Sequence, residues 1–235
     1  MKHPSWRLEP PRQLPFEPDL QALYELEHAY ADAVGRGFLG PREETRLRQR
    51  HLDDALGLAA IRLPRPGERW ADLGSGAGLP GLPLASQFPE TEFTLVDAQR
   101  RRLDWVAATA AKLHIDNVSV VHARLEEYGH GAGRESFDVA TARALGRLPV
   151  VAELGLPLLR IGGALLVPRG RPTDAELEQA ARACRQLGGR VDDVVPNPSS
   201  PIDRVGFVVI MAKIAATSPR FPRRSGVPAR TPLGQ

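Results

Sequence analysis

Cysteine is nearly absent from this 235-residue chain, Cys184 being the only one. One thiol cannot close an internal disulfide, and it falls short of the four Cys or His ligands of a structural zinc site, so neither staple is expected and no metal is expected. Long apolar runs are missing too. The most apolar stretch, Leu148 to Pro168, is broken by Pro149, Glu153, Pro157 and Arg160, which excludes an uncharged membrane span of about 20 residues. Residues 1–18 contain no apolar run and do not read as a secretory signal. The expected setting is the reducing cytoplasm. Lysine is scarce as well: Lys2, Lys112 and Lys213 are the only three, so the positive charge is almost entirely arginine. That charge is uneven. The segment Pro219 to Gln235 carries Arg220, Arg223, Arg224 and Arg230 with no acid, which is +4 against a chain total of +3. Such a patch is either a footprint for a polyanion or a solvated basic tail without a partner.

What is present is ordinary globular material, 42% hydrophobic and 25% charged, in a chain long enough to bury roughly 70% of its unfolded surface around one main core. Residues 1–18, rich in Pro and polar groups, read as a loose arm. Residues 19–62 read as a helical cap. Asp19 is a plausible N-cap for a stripe of Leu23, Leu26, Tyr30 and Val34, stopped by Gly35 and Gly37, and a second helix is expected from Glu43 to about Leu58. Residues 63–214 alternate short apolar runs with helix-length segments. Strands are expected near 69–73, 92–97, 117–121, 136–141, 162–167, 190–195 and 205–212, with helices at 80–88, 99–114, 148–159 and 173–187 and a short turn near 124–128. The pattern predicts a Rossmann-like α/β fold, a seven-stranded and mostly parallel sheet covered on both faces. The last connection, rich in proline, is too short for a crossover helix, so the final two strands should pair antiparallel. Residues 215–235 read as the basic Pro/Arg tail.

The first strand runs into Asp72-Leu73-Gly74-Ser75-Gly76-Ala77-Gly78-Leu79-Pro80-Gly81. Alternating glycines let the backbone turn tightly and let a ligand approach where a Cβ would collide. Gly76, Gly78 and Gly81 also satisfy G-x-G-x-x-G, so the loop alone leaves a nicotinamide or flavin cofactor and S-adenosylmethionine both open. Asp72 favours the second, because a carboxylate placed beside the ligand suits a sulfonium with an ammonium group and would repel a pyrophosphate. Asp97, ending the second strand, is placed to accept both ribose hydroxyls, or else to open the helix that follows.

Two common methyl-transfer machineries are missing. There is no D/N-P-P motif to orient an exocyclic amine, and Cys184 lies in a helix where an inert buried thiol is expected rather than a pyrimidine nucleophile. Guanine N7 needs neither, since its lone pair is free at neutral pH and no proton leaves during attack.

Arg50-His51-Leu52-Asp53-Asp54, the loop from Asp72 with its Gly-Leu-Pro-Gly ending, Leu95-Val96-Asp97, Arg124-Leu125-Glu126-Glu127, Thr141-Ala142-Arg143-Ala144 and Phe221-Pro222-Arg223-Arg224-Ser225-Gly226-Val227-Pro228 together resemble the RsmG (GidB) family. The resemblance spans about Leu20 to Leu233. It implies an enzyme that methylates N7 of a guanine in 16S ribosomal RNA with S-adenosylmethionine as donor and without a general base; a monomer is expected, and naked RNA and the 30S subunit both stay open as the substrate. It places Gly74 and Leu79 in the donor pocket, Leu125 and Glu126 at the adenine and Arg143 at the mouth of the site, beside the Gly76 and Asp97 to which the loop chemistry points. The chain departs from the family at Arg169, where lysine is common, at Ala55 and Ala142, where serine is frequent, and at Gly37 to Pro41, which replaces an asparagine-leucine segment. Arg50, His51, Arg169, Arg223 and Arg224 are the candidate RNA contacts, and Arg100, Arg101 and Arg102 either join them or form a solvated helix face. A nicotinamide-dependent oxidoreductase and a non-catalytic binding module are the rival readings.

Overall fold

The computed structural model describes residues 14–200 and 205–234. Most of the expected arm, residues 1–13, lies outside the described residues. The described part is not loose, because Phe16 sets its ring edge-on against Phe88 with centroids 5.0 Å apart.

One sheet contains β1 (Arg69–Leu73), β2 (Glu92–Asp97), β3 (Val118–His122), β4 (Phe137–Thr141), β5 (Leu159–Arg169), β6 (Gly189–Pro196) and β7 (Phe207–Lys213). The order is β3-β2-β1-β4-β5-β7-β6. β1 to β5 run parallel, while β7 lies antiparallel between β5 and β6, as the short connection requires. Central strands are apolar without alternation because both faces are covered; Ala71, Leu73, Leu95, Val96, Val139 and Ala140 are all buried. Strand order reverses between β1 and β4, which opens a crevice at their carboxyl ends.

The helices are α1 (Leu20–Gly35), α2 (Asp53–Ile61), α3 (Gly81–Gln87), α4 (Arg100–Lys112), α5 (Leu125–Tyr128), α6 (Leu148–Gly155), α7 (Asp174–Gln186) and α8 (Val227–Arg230). The Asp19 carboxylate accepts the Ala22 N–H at 3.0 Å and starts α1. α1 to α4 share one apolar cluster with Trp70, Phe93 and Val139; α6 and α7 share another with Leu73, Leu165 and Phe221 on the opposite face. Among the described residues no helix is long and apolar enough to cross a membrane.

Two expectations are corrected. The single helix over 43–58 is three pieces of different pitch: a 3-10 turn over Pro41–Arg46, a π turn over Arg48–Leu52, and α2. A charged segment whose buried apolar side chains before α2 are Leu47 and Leu52 carries too little periodicity to fix one pitch. The basic tail is not a free solvated segment, although Arg220, Arg224 and Arg230 stay exposed. Phe221, Pro222 and Pro228 are buried, Arg134 donates to the carbonyls of Thr217 and Phe221, and Arg182 holds the carbonyl of Gly234. The tail is a strap laid across α5, α6 and α7.

Candidate active site

The loop between β1 and α3 keeps Gly74, Gly76 and Gly78 at φ of +67°, +55° and +77°, the left-handed region that glycine enters without strain. Their surroundings differ. A Cβ on Gly74 would come within 2.7 Å of the Leu145 side chain and one on Gly78 within 2.8 Å of Leu82, whereas the nearest atom to a Cβ on Gly76 is the Arg102 Nη1 at 3.7 Å. Gly74 and Gly78 therefore serve packing, and Gly76 leaves an open face. The N–H groups of Gly74 and Ser75 donate to the Val96 carbonyl at 2.8 and 3.1 Å, which ties the loop to β2. Asp97 completes the tie: one oxygen accepts the Gly76 N–H at 2.9 Å and the other the Gln99 N–H at 2.8 Å, just ahead of α4. Each oxygen keeps acceptor capacity for a ligand hydroxyl. The Ser75 hydroxyl is buried with no protein partner. Sequence reasoning passed over Ser75, although a hydroxyl between two glycines was the signal.

Asp72 is corrected. Its carboxylate does not line the crevice; it is 1% exposed beneath the loop, accepts the Gly81 N–H at 2.9 Å and faces the Thr141 hydroxyl at 3.5 Å. Burial pushes its carboxyl up to about 7. It reaches the crevice through the start of α3, whose first N–H it holds.

The cap reaches the loop directly. Tyr30 is fully buried, and its hydroxyl donates to the Gly78 carbonyl at 3.2 Å. The apolar stripe found this residue but not its role; a buried tyrosine hydroxyl needs a partner, and that requirement was the missed signal. Arg143 is the second link. Its Nη2 donates to the Arg50 carbonyl at 3.0 Å and stands 3.9 Å from an Asp54 oxygen. Glu43 in turn accepts from Arg50 at 2.6 Å and from His51 Nε2 at 2.9 Å. His51 is buried, its Nδ1 lacks a protein partner, and burial aided by the Arg143 cation pulls its pKa down to about 4, so the ring is neutral at pH 7.

The structure thus brings Gly74, Gly76, Asp97 and Arg143 to one crevice, with Arg50 and His51 joined to it through Arg143. The Leu79 and Leu125 side chains are buried in the two apolar clusters. Glu126 accepts the Gly226 N–H of the strap at 2.9 Å. Arg169 and Arg223 are both engaged by carboxylates. Arg169 is engaged by Glu176 at 2.6 Å, in the first turn of α7. Arg223 sends its backbone N–H, Nε and Nη2 to the fully buried Glu153, because an acid inside an apolar helix requires a cation. Arg224 remains exposed, as do Arg100 and Arg101, the latter over the Phe38 ring at 5.2 Å. Cys184 is buried, with its thiol pushed up to about 12 by burial.

The chain is similar to known proteins in sequence and in fold. Residues 27–199 fit the family model GidB, described as rRNA small subunit methyltransferase G. A protein of Chloroflexus aggregans called ribosomal RNA small subunit methyltransferase G is 42% identical over 193 residues, covering 82% of this chain and 80% of the relative. One of the same name from Syntrophomonas wolfei is 39% identical over 185 residues, covering 79% and 86%. In fold, the chain is similar to a crystal structure of a SAM-dependent methyltransferase from Aquifex aeolicus, with a TM-score of 0.53 at 17% identity over 72% of this chain and 93% of that one. The family match over most of the chain and the level of identity to these relatives settle the kinship: this chain belongs to the GidB family, the rRNA small subunit methyltransferase G proteins.

Proposed function

We propose that this chain transfers the methyl group of S-adenosylmethionine to N7 of a guanine in 16S ribosomal RNA in the cytoplasm. The observation that carries the reading is the glycine loop closed by Asp97 at the crevice where strand order reverses, on a sheet with an antiparallel strand set between β5 and β6. The open dinucleotide-binding sheet has the order 3-2-1-4-5-6, without such an insertion, so the topology supports a methyl donor over a nicotinamide.

The residues fit the donor. Ser75 offers an unengaged buried hydroxyl, Gly76 an open face, Asp97 two oxygens with spare lone pairs, and Asp72 a carboxyl below the loop that is ionised above about pH 7. When bound, the donor supplies a methyl group made electrophilic by a cationic sulfur. The protein's share is to bind, orient and exclude water, because N7 attacks with a free lone pair and releases no proton. The neutral, buried His51, held by Glu43, is suited to fixing the cap turn, and Arg143 couples that turn to the crevice. The exposed Arg224, and Arg50, half-exposed beside its Glu43 partner, stand as RNA contacts.

Calorimetry with S-adenosylhomocysteine and with NAD separates the donor classes; binding of the first alone is expected. Transfer of labelled methyl to 16S RNA or 30S subunits from a strain lacking the modification, followed by mass spectrometry of the nucleotide, is expected to yield 7-methylguanosine. Absence of label in both substrates overturns the reading.

A further inference from the structure

Three of the five connections that leave the carboxyl ends of the parallel strands carry arginine and no acid before the next helix, with Arg124 after β3, Arg147 after β4 and Arg171 after β5; those after β1 and β2 carry neither charge. Connections at the amino edge contain acids, among them Glu68, Asp116 and Glu135. Several arginines elsewhere are engaged by carboxylates, such as Arg62 by Glu68 and Arg160 by Asp138. Arg124, Arg147 and Arg224 are exposed and have no carboxylate within ion-pair distance among the described residues.

These three share one side of the crevice. The bond from the Gly226 N–H to Glu126 sets the strap against the first turn of α5, two residues from both Arg124 and Arg224. Arg147 ends the loop whose Leu145 lies against Gly74, and it caps α6, the helix that holds Arg223 through Glu153. Arg223 also donates to the Thr231 carbonyl at 2.8 Å, so the backbone that presents Arg224 is clamped on both sides. Local stability does not require three unpaired cations here.

We infer that Arg124, Arg147 and Arg224 form a phosphate-binding rim along the strap side of the crevice, which takes the sugar-phosphate backbone of the RNA beside the target base. The inference rests on the proposed function. Guanidinium forks suit phosphate oxygens, and each contact releases counterions on binding, about 0.7 to 0.9 in the log–log salt slope. Such contacts position the strand without reading its sequence and act before and during transfer alike, so they set KM and leave kcat.

The test measures binding of a 16S RNA transcript between 50 and 200 mM KCl to the wild type, to the triple variant Arg124→Ala/Arg147→Ala/Arg224→Ala, to its triple Lys counterpart, and to Arg65→Ala, an exposed arginine on the amino edge. The triple Ala variant should lose about 2 from the slope and raise KM at unchanged kcat. Its affinity for adenosylhomocysteine and its thermal midpoint should match the wild type, and the Lys variant should recover most of the slope. Arg65→Ala should behave as wild type. An unchanged slope in the triple Ala variant, or an equal loss in Arg65→Ala, overturns the rim while wild-type methyl transfer leaves the proposed function standing. A wild type that neither binds nor methylates RNA overturns both.

Discussion

Replacing Asp72 by Asn should stabilise the protein at pH 8 and weaken its hold on the donor. The carboxyl is 1% exposed and is pushed from an ordinary 3.8 up to about 7 by burial, which outweighs the Gly81 N–H, the Thr141 hydroxyl and the Arg143 cation. The unfolded chain sheds this proton near pH 3.8 and the folded chain only near 7. Folding therefore loses stability as pH rises from 3.8 through 7, and above 7 the full cost stands. At 1.36 kcal/mol per decade of proton affinity, that cost is on the order of 4 kcal/mol. Asparagine keeps an acceptor for the Gly81 N–H and turns its amide to Thr141 Oγ1, but it gives up the attraction to Arg143. A net gain of about 2 to 4 kcal/mol at pH 8 is expected, a rise of roughly 10 °C in Tm for a chain of this size. Thermal unfolding at pH 4 and pH 8 checks this: the gap between Asn variant and wild type should close at the acid end. A variant no more stable than wild type at pH 8, or a gap of the same size at both pH values, refutes the argument. Calorimetry should show weaker donor binding, since the negative field under the loop is gone.

Three further outcomes follow from the same structure. Arg223→Ala strands the fully buried Glu153 and should cost about 3 to 5 kcal/mol in denaturant unfolding, part of it returned by adding Glu153→Gln; a loss below about 1 kcal/mol would show that the strap is not anchored there. Gly76→Ala meets free space but a φ of +55°, so it should cost about 1 to 2 kcal/mol of stability and at least tenfold in adenosylhomocysteine affinity, while Gly74→Ala, which also collides with Leu145, should cost more stability. His51 works opposite to Asp72 in acid. With its folded pKa near 4 against an ordinary 6.5, its contribution is present above pH 6.5 and is lost as pH falls through 4, on the order of 3 kcal/mol, and His51→Gln should flatten that part of a stability–pH curve.

Strands buried on both faces were the most legible part of the sequence: β1 and β2 fall on the expected residues, and Asp97 ends its strand beside the loop as spacing demanded. Sequence reading failed where side chains from distant segments decide the structure. Pro and Arg composition left a polyanion footprint and a solvated tail both open and did not show a packed strap, because its anchor, Glu153, lies 70 residues earlier. The anchor itself was visible as a lone acid in an apolar helix, an anomaly that asks for a distant cation. The change of pitch between Pro41 and Ile61 had no apolar pattern to announce it, and the tie from Tyr30 to Gly78 spans 48 residues.

The order of synthesis gives the Arg223–Glu153 clamp one more meaning. All seven strands and the glycine loop precede Arg223 in the chain. A nascent polypeptide emerging from the ribosome therefore completes the sheet while α6 still contains a carboxylate without its cation, and only the closing segment cures that defect. Products truncated after β7 would keep the glycine loop and Asp97 but leave the buried Glu153 without its cation, and so be less stable than the full chain.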